Sequence, residues 1–341
     1  MIYGDVELYN VQDMIETSPG GGFLLSRLPA GVRAKVNERA QYASLSGSGT
    51  EIRFRMLGDR VKLVLGRDAV SGGVSPAGIA EVFQGAYQGS YHVSPQIITT
   101  GRTELTFTRR SLEHLLPIQE QERYPYDPEL IRVLLPYDWA NRLYTVEGET
   151  APPLAGQVPD KRYLTYGSSI THGGCATMHS AAYASRLAPR LGMDLINLGM
   201  AGSAQMDEAM ADYIAGRKDW DVATLEMGVN VTDWPLDRFR ETAERFVSRI
   251  AEAHPDRWIF CIDIFRNHND YKANGLNDGF RQAVKDIVAK LDRPKVAYLN
   301  GLELLTQGSG LSADGLHPSD SGFAEMAERL HRRMTEVMAE R

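Results

Sequence analysis

The sequence predicts an α/β protein in two units: an all-β sandwich, followed by a parallel sheet wrapped by helices. Three observations predict it. From about residue 40 to 145 apolar residues mostly alternate with polar ones, the two-residue period of half-buried strands. From residue 162 onward short apolar runs alternate with helix-period segments, a pattern that lays parallel strands under crossover helices. The length of 341 residues also exceeds the usual size of a single core, so two domains are expected.

Along the chain, the first 40 residues are the least patterned, and "SPGGGF" within them reads as a loop. In "EIRFRMLGDRVKLVLG", Ile52, Phe54 and Met56 share a face, and Val61, Leu63 and Leu65 do so again after Gly58 and Asp59. That pattern predicts a β-hairpin. "TELTFTR", with Leu105 and Phe107, and "LIRVLLPYDW" read as further strands. The aromatics of "PYDWANRLY" could stack on a sugar, but residues of this kind are more often core. Residues 1–147 are expected to form the sandwich domain. Residues 148–161, "GETAPPLAGQVPDK", lack a period and are rich in Pro, Gly and polar residues, as a linker is.

Residues 162–341 then pair strand with helix five times. "RYLTYG" precedes "ATMHSAAYASRLAPRL", "DLINLG" precedes "AQMDEAMADYIAG", and "DVATLEMG" precedes "LDRFRETAERFVSRIAEAH". "RWIFCIDIF" leads to a helix near 274–291, and "KVAYLNG" to one from about 319 to 339. No internal repeat or low-complexity segment interrupts the series.

A sheet of this kind binds ligands at the carboxyl ends of its strands, which filters the polar residues. Ser169 follows the first strand, where a hydroxyl can act as a nucleophile or cap a helix. After the second, Gly199 and Gly202 let the backbone turn closely, and an amide there can face developing negative charge. Asn230 ends the third strand, as a turn former or as an amide donor. After the fifth, Asp314 and His317 stand three apart, a spacing at which the carboxylate can fix the imidazole's tautomer. Pro318 and Ser319 would start the last helix. Each is weak alone. Together, at four strand ends, they make the constellation of acyl transfer: Ser169 as nucleophile, His317 as base, Asp314 as orienter, and the Ser169 and Gly202 amides with Asn230 as oxyanion hole. His172 is assigned a supporting or capping role.

The totals narrow the alternatives. A formal net charge of -7 with no basic tract argues against nucleic acid or an anionic membrane as partner. The N-terminus has early acidic residues and no uninterrupted apolar region, so neither a signal peptide nor an anchor is readable and a cytoplasmic protein is expected. Cys175 and Cys261 lie in different segments without metal-ligand spacing, so no disulfide framework or zinc site is expected and both are read as core thiols. Walker, GxGxxG, HExxH and GxSxG patterns do not occur, so no cofactor and no metal are expected.

These blocks resemble those of the SGNH, or GDSL-type, hydrolases. Gly167-Ser168-Ser169-Ile170-Thr171 is similar to that family's first block, with Ser168 in place of its usual aspartate. "NLGMAGSA" matches the glycine block at Gly202, Gly228-Val229-Asn230 the Gly-x-Asn block, and Asp314-Gly315-Leu316-His317 the Asp-x-x-His block. Asn230 is followed by Val231-Thr232-Asp233 instead of directly by Asp. Over about residues 160–340 the resemblance implies a flavodoxin-like parallel sheet flanked by helices, here behind a jelly-roll-like sandwich, as in two-domain members. It implies a serine esterase removing small acyl groups, acetyl above all, from acylated sugars or related small esters. The rivals are an acyltransferase with the same triad and a non-catalytic carbohydrate-binding protein. A homo-oligomer is left open.

Overall fold

Two antiparallel sheets and one parallel sheet account for the strands among the described residues of the computed structural model, which are 1–18, 21–70, 74–273 and 275–340. Pro19 and Gly20 of the expected loop, and Asn274 at the start of an expected helix, lie outside them. The first sheet runs Ile2–Tyr3, Val6–Tyr9, Glu51–Met56, Leu130–Leu134, Gly78–Gln84, Tyr87–Gln88. The second runs Thr103–Thr108, Arg60–Asp68, Ala140–Glu147, Phe23–Ser26, Asp13–Glu16. Their inward rows meet in one core, where Leu8, Ile52, Phe54, Val82 and Val133 of the first sheet face Leu25, Val61, Leu63, Leu105 and Leu143 of the second.

The expected hairpin is not one. Glu51–Met56 pairs with Val6–Tyr9 and Leu130–Leu134, while Arg60–Asp68 pairs with Thr103–Thr108 and Ala140–Glu147. The turn at Gly58 therefore carries the chain from one sheet to the other. Alternation has the same period in both arrangements, and here the two apolar rows meet across the core instead of lying side by side. Within the stretch read as a linker, Thr150–Ala151 adds a short strand to Glu51–Met56.

The parallel sheet has its strands in the order Asp194–Gly199, Arg162–Gly167, Val222–Glu226, Trp258–Ile262, Val296–Leu299. This 2-1-3-4-5 order is the flavodoxin-like one. Successive residues serve opposite faces. Leu164, Tyr166, Ala223, Leu225, Ile259 and Cys261 pack under helices Glu208–Gly216, Leu236–Ala253 and Leu276–Leu291. Tyr163, Val222, Phe260, Ile262 and Leu299 pack under Tyr183–Arg190 and Asp320–Glu340. The spacing of Phe239, Ala243, Phe246, Val247 and Ile250 puts all five on one stripe of their helix, and each large side chain so buried contributes roughly 1.5–3 kcal/mol. No helix among the described residues is long and apolar enough to cross a membrane.

The sandwich half also reaches into this second core. Leu28, Val36, Ala40 and Ala43 share a cluster with the parallel sheet. Tyr137 and Trp139 are buried, and the Tyr137 hydroxyl donates to Ala176 O at 2.9 Å. They are core aromatics and not a sugar platform.

Candidate active site

The first parallel strand runs straight into the short helix Ser169–His172. Ser168 caps it: its Oγ accepts the Ile170 amide at 3.1 Å, in extended backbone. Ser169 is thereby freed of the capping role. Its Oγ lies 2.7 Å from His317 Nε2, and His317 Nδ1 lies 2.6 Å from Asp314 Oδ2. Those three residues, separated in sequence, form one continuous hydrogen-bonded chain.

Asp314 is held by more than the imidazole. Its Oδ1 accepts from Ser312 Oγ at 2.8 Å and from the amides of Leu316 at 2.8 Å and His317 at 2.9 Å. Burial pushes the carboxyl up, but the bonds from the imidazole, the two amides and the hydroxyl outweigh it and hold it well below the usual carboxylate range. An ionised Asp314 places the proton on Nδ1 and leaves Nε2 to accept from Ser169.

Gly202 stands in the turn after the second strand with φ +65°, a conformation that side chains rarely adopt. Neither its amide nor that of Ser169 donates to an acceptor among the described residues. Asn230 sits in the turn Val229–Val231 after the third strand. Its Oδ1 accepts the Ala204 amide at 3.1 Å, which fixes the orientation of the side-chain amide and leaves Nδ2 to donate elsewhere.

His172 takes no part in the chain to Ser169. It is buried, and its Nδ1 donates to Gly199 O at 3.1 Å. Burial, with the Arg27 charge, pulls its pKa down to about 3, so the ring is neutral. Cys261 is a core thiol, pushed up to about 12 by burial. Cys175 is not: it is exposed in the loop after the helix Ser169–His172, because that loop passes beside Asp314 instead of entering the sheet.

Glu226 escaped the sequence reading. It ends the third strand, buried on both faces, and its Oε2 accepts the Ser168 amide at 2.5 Å and the Thr171 hydroxyl at 3.1 Å. Its Oε1 is buried with no partner among the described residues, and burial raises the carboxyl above its ordinary range. The signal available was a carboxylate closing an otherwise apolar strand, "VATLE".

A family model described as GDSL-like lipase/acylhydrolase matches residues 160–335. No curated protein matches the sequence. Among solved structures, a salicylyl-acyltransferase from a tetracycline biosynthetic pathway is 17% identical with a TM-score of 0.79, covering 98% of this chain and 95% of that one. A GDSL-like lipase described as putative, from Bacteroides ovatus, is 16% identical with a TM-score of 0.72, covering 98% of both chains. A family two carbohydrate esterase from Clostridium thermocellum, in complex with cellohexaose, is 14% identical with a TM-score of 0.63, covering 98% of this chain and 99% of that one. These likenesses extend the shared fold over both halves of the chain.

Proposed function

Because the chain belongs to the GDSL-like lipase/acylhydrolase family, we propose that Ser169, His317 and Asp314 are the catalytic triad of a serine esterase. Its substrate is a small acyl ester, above all an acetyl group on a sugar oxygen. The observation that carries this reading is the unbroken chain from Asp314 through His317 to Ser169 Oγ, with bonds of 2.6 and 2.7 Å.

In this mechanism Ser169 Oγ attacks the ester carbonyl while His317 Nε2 takes its proton. The oxyanion is held by the amides of Ser169 and Gly202 and by Asn230 Nδ2, each such donor being worth about a hundredfold to a thousandfold in turnover. The imidazolium then protonates the leaving alcohol. Water, activated by the same nitrogen, releases the acid from the acyl-enzyme. Residues 1–147 serve as a β domain, 148–161 as its connection, and 162–341 as the catalytic domain.

The same atoms serve an acyltransferase if an acceptor hydroxyl outcompetes water, and the salicylyl-acyltransferase of this fold makes that the second reading. The test is turnover of p-nitrophenyl acetate, butyrate and octanoate and of an acetylated xylo-oligosaccharide, with and without an acceptor alcohol. Wild type is expected to release acetate, fastest from the acetyl esters, and Ser169→Ala to lose on the order of 10⁴–10⁶ in kcat. Acylated acceptor as the main product would establish transfer. Equal residual rates in both proteins would refute the triad and leave a binding protein.

A further inference from the structure

The loop after the nucleophile's helix brings a thiol to the triad. Cys175 Sγ lies 3.6 Å from Asp314 Oδ2, the oxygen that also meets His317 Nδ1 at 2.6 Å. Ligand atoms of all three residues lie within 4.8 Å of one another. The loop is anchored on both sides of the thiol. Gly174 is so close to the imidazole that a Cβ there would meet His317 Cδ2 at 2.9 Å, and the Thr177 amide donates to Asp320 Oδ1 at 2.9 Å.

One thiolate, one carboxylate and one imidazole form the donor set of zinc and related soft divalent ions. Bonds of about 2.3 Å to sulfur and about 2.0 Å to oxygen, at a tetrahedral angle, place those two ligand atoms roughly 3.5 Å apart. The Sγ to Oδ2 separation of 3.6 Å already matches. An imidazole nitrogen and a carboxylate oxygen on the same ion stand roughly 3.3 Å apart, so the 2.6 Å pair must open by roughly 0.7 Å. Replacing their shared proton by an ion opens it. Asp314 Oδ1 keeps its own three donors meanwhile.

We propose that Cys175, Asp314 and His317 bind a soft divalent cation such as Zn²⁺, with water as fourth ligand, and that occupation shuts off acyl transfer. On binding, the Cys175 thiol releases its proton to solvent. The imidazole keeps one proton, which moves from Nδ1 to Nε2 as Nδ1 gives its lone pair to the ion. Nε2 then has no lone pair for the Ser169 proton, and the general base is lost. Hard ions that favour all-oxygen sites do not compete. The effect on turnover rests on the triad reading; ion binding itself does not.

The experiment titrates Zn²⁺, and Mg²⁺ as control, into p-nitrophenyl acetate hydrolysis by wild type and Cys175→Ser, each normalised to its own metal-free rate. In parallel, Co²⁺ is added to both proteins and to Ser169→Ala, and the thiolate-to-cobalt charge-transfer band is recorded. Expected are zinc inhibition of wild type reversed by a chelator, an inhibitory concentration more than about tenfold higher in Cys175→Ser, no effect of Mg²⁺, and a cobalt band in wild type and Ser169→Ala only. Equal inhibition of wild type and Cys175→Ser, or no band in wild type, would overturn the site. A normal band with undiminished turnover would overturn the inhibition by contradicting the triad, which separates the two failures.

Discussion

Ser168 and Ser169 divide two tasks that adjacent serines could both perform. Ser168 Oγ takes the Ile170 amide as cap, and Ser169 Oγ faces His317. The family usually carries an aspartate where Ser168 stands, and here a carboxylate approaches from another strand, as Glu226 Oε2 accepts the Ser168 amide from below. Removing that acceptor leaves a buried amide unpaired, a cost of about 1–3 kcal/mol at the residue that precedes Ser169. Glu226 is thus a positioning residue. Glu226→Ala should lower kcat with KM little changed, whereas Glu226→Gln, which keeps an acceptor oxygen, should restore most of kcat. Steady-state kinetics of the two variants checks this, and a Gln variant as poor as Ala would assign the role to charge instead.

At the scale of elements, the loops bearing the site are fastened from outside their own sheet. Ser48 Oγ donates to His172 O at 2.6 Å, at the end of the helix Ser169–His172. The Arg27 guanidinium donates to Asn197 O and Gly199 O, both at 2.9 Å, and to Ala43 O at 2.6 Å. Asn37 Nδ2 donates to Ser203 O at 3.0 Å and to Asp207 Oδ2 at 2.8 Å, beside Gly202. Segment 27–48 therefore braces both the turn carrying Ser169 and the turn carrying Gly202. None of this is legible in the sequence, because Arg27 and Asn37 lie in its least patterned part and all three residues, Ser48 included, bond groups far along the chain. The strand ends that lead to Ser169, Gly202 and Asn230 were legible, because doubly buried strands read as apolar runs that stop abruptly, whereas His317 lies beyond the short helix Gly301–Leu304 that follows the fifth strand. The exchange of sheets at Gly58 was not, since a two-residue period records which face is buried and not which strand lies alongside.

Over the whole molecule, the two halves meet through buried charge and neutral imidazoles. Arg53 forms a two-pronged pair with Asp194 at 2.6 and 2.7 Å, and the Tyr126 hydroxyl adds a bond of 2.7 Å to the same carboxylate. Breaking such a pair from one side costs about 3–5 kcal/mol. The Gly49 amide donates to His179 Nε2 at 2.8 Å, so Nδ1 carries the proton and donates to Leu135 O at 2.8 Å. Burial lowers the pKa of His179, and burial with the Arg27 charge lowers that of His172 to about 3. Such groups leave stability whole above the unfolded histidine value of about 6.5 and erode it as pH falls toward the folded value, because the unfolded chain then binds the proton first. For His172 alone the loss is about 2 kcal/mol at pH 5. Denaturant unfolding at pH 7.5 and pH 5 should show this, and His172→Asn, whose amide can replace the Nδ1 donor, should lose less between the two. Identical losses in both proteins would contradict it.

The central claim is that Ser169 is the nucleophile. Its most direct measurement is mass spectrometry of the protein treated with the phosphorylating inhibitor diethyl p-nitrophenyl phosphate, alongside residual activity. The account predicts one diethylphosphoryl group on the peptide bearing Ser169, gained in step with the loss of esterase activity and absent from Ser169→Ala. Full inactivation with the label on another residue, or full activity with Ser169 labelled, would contradict it.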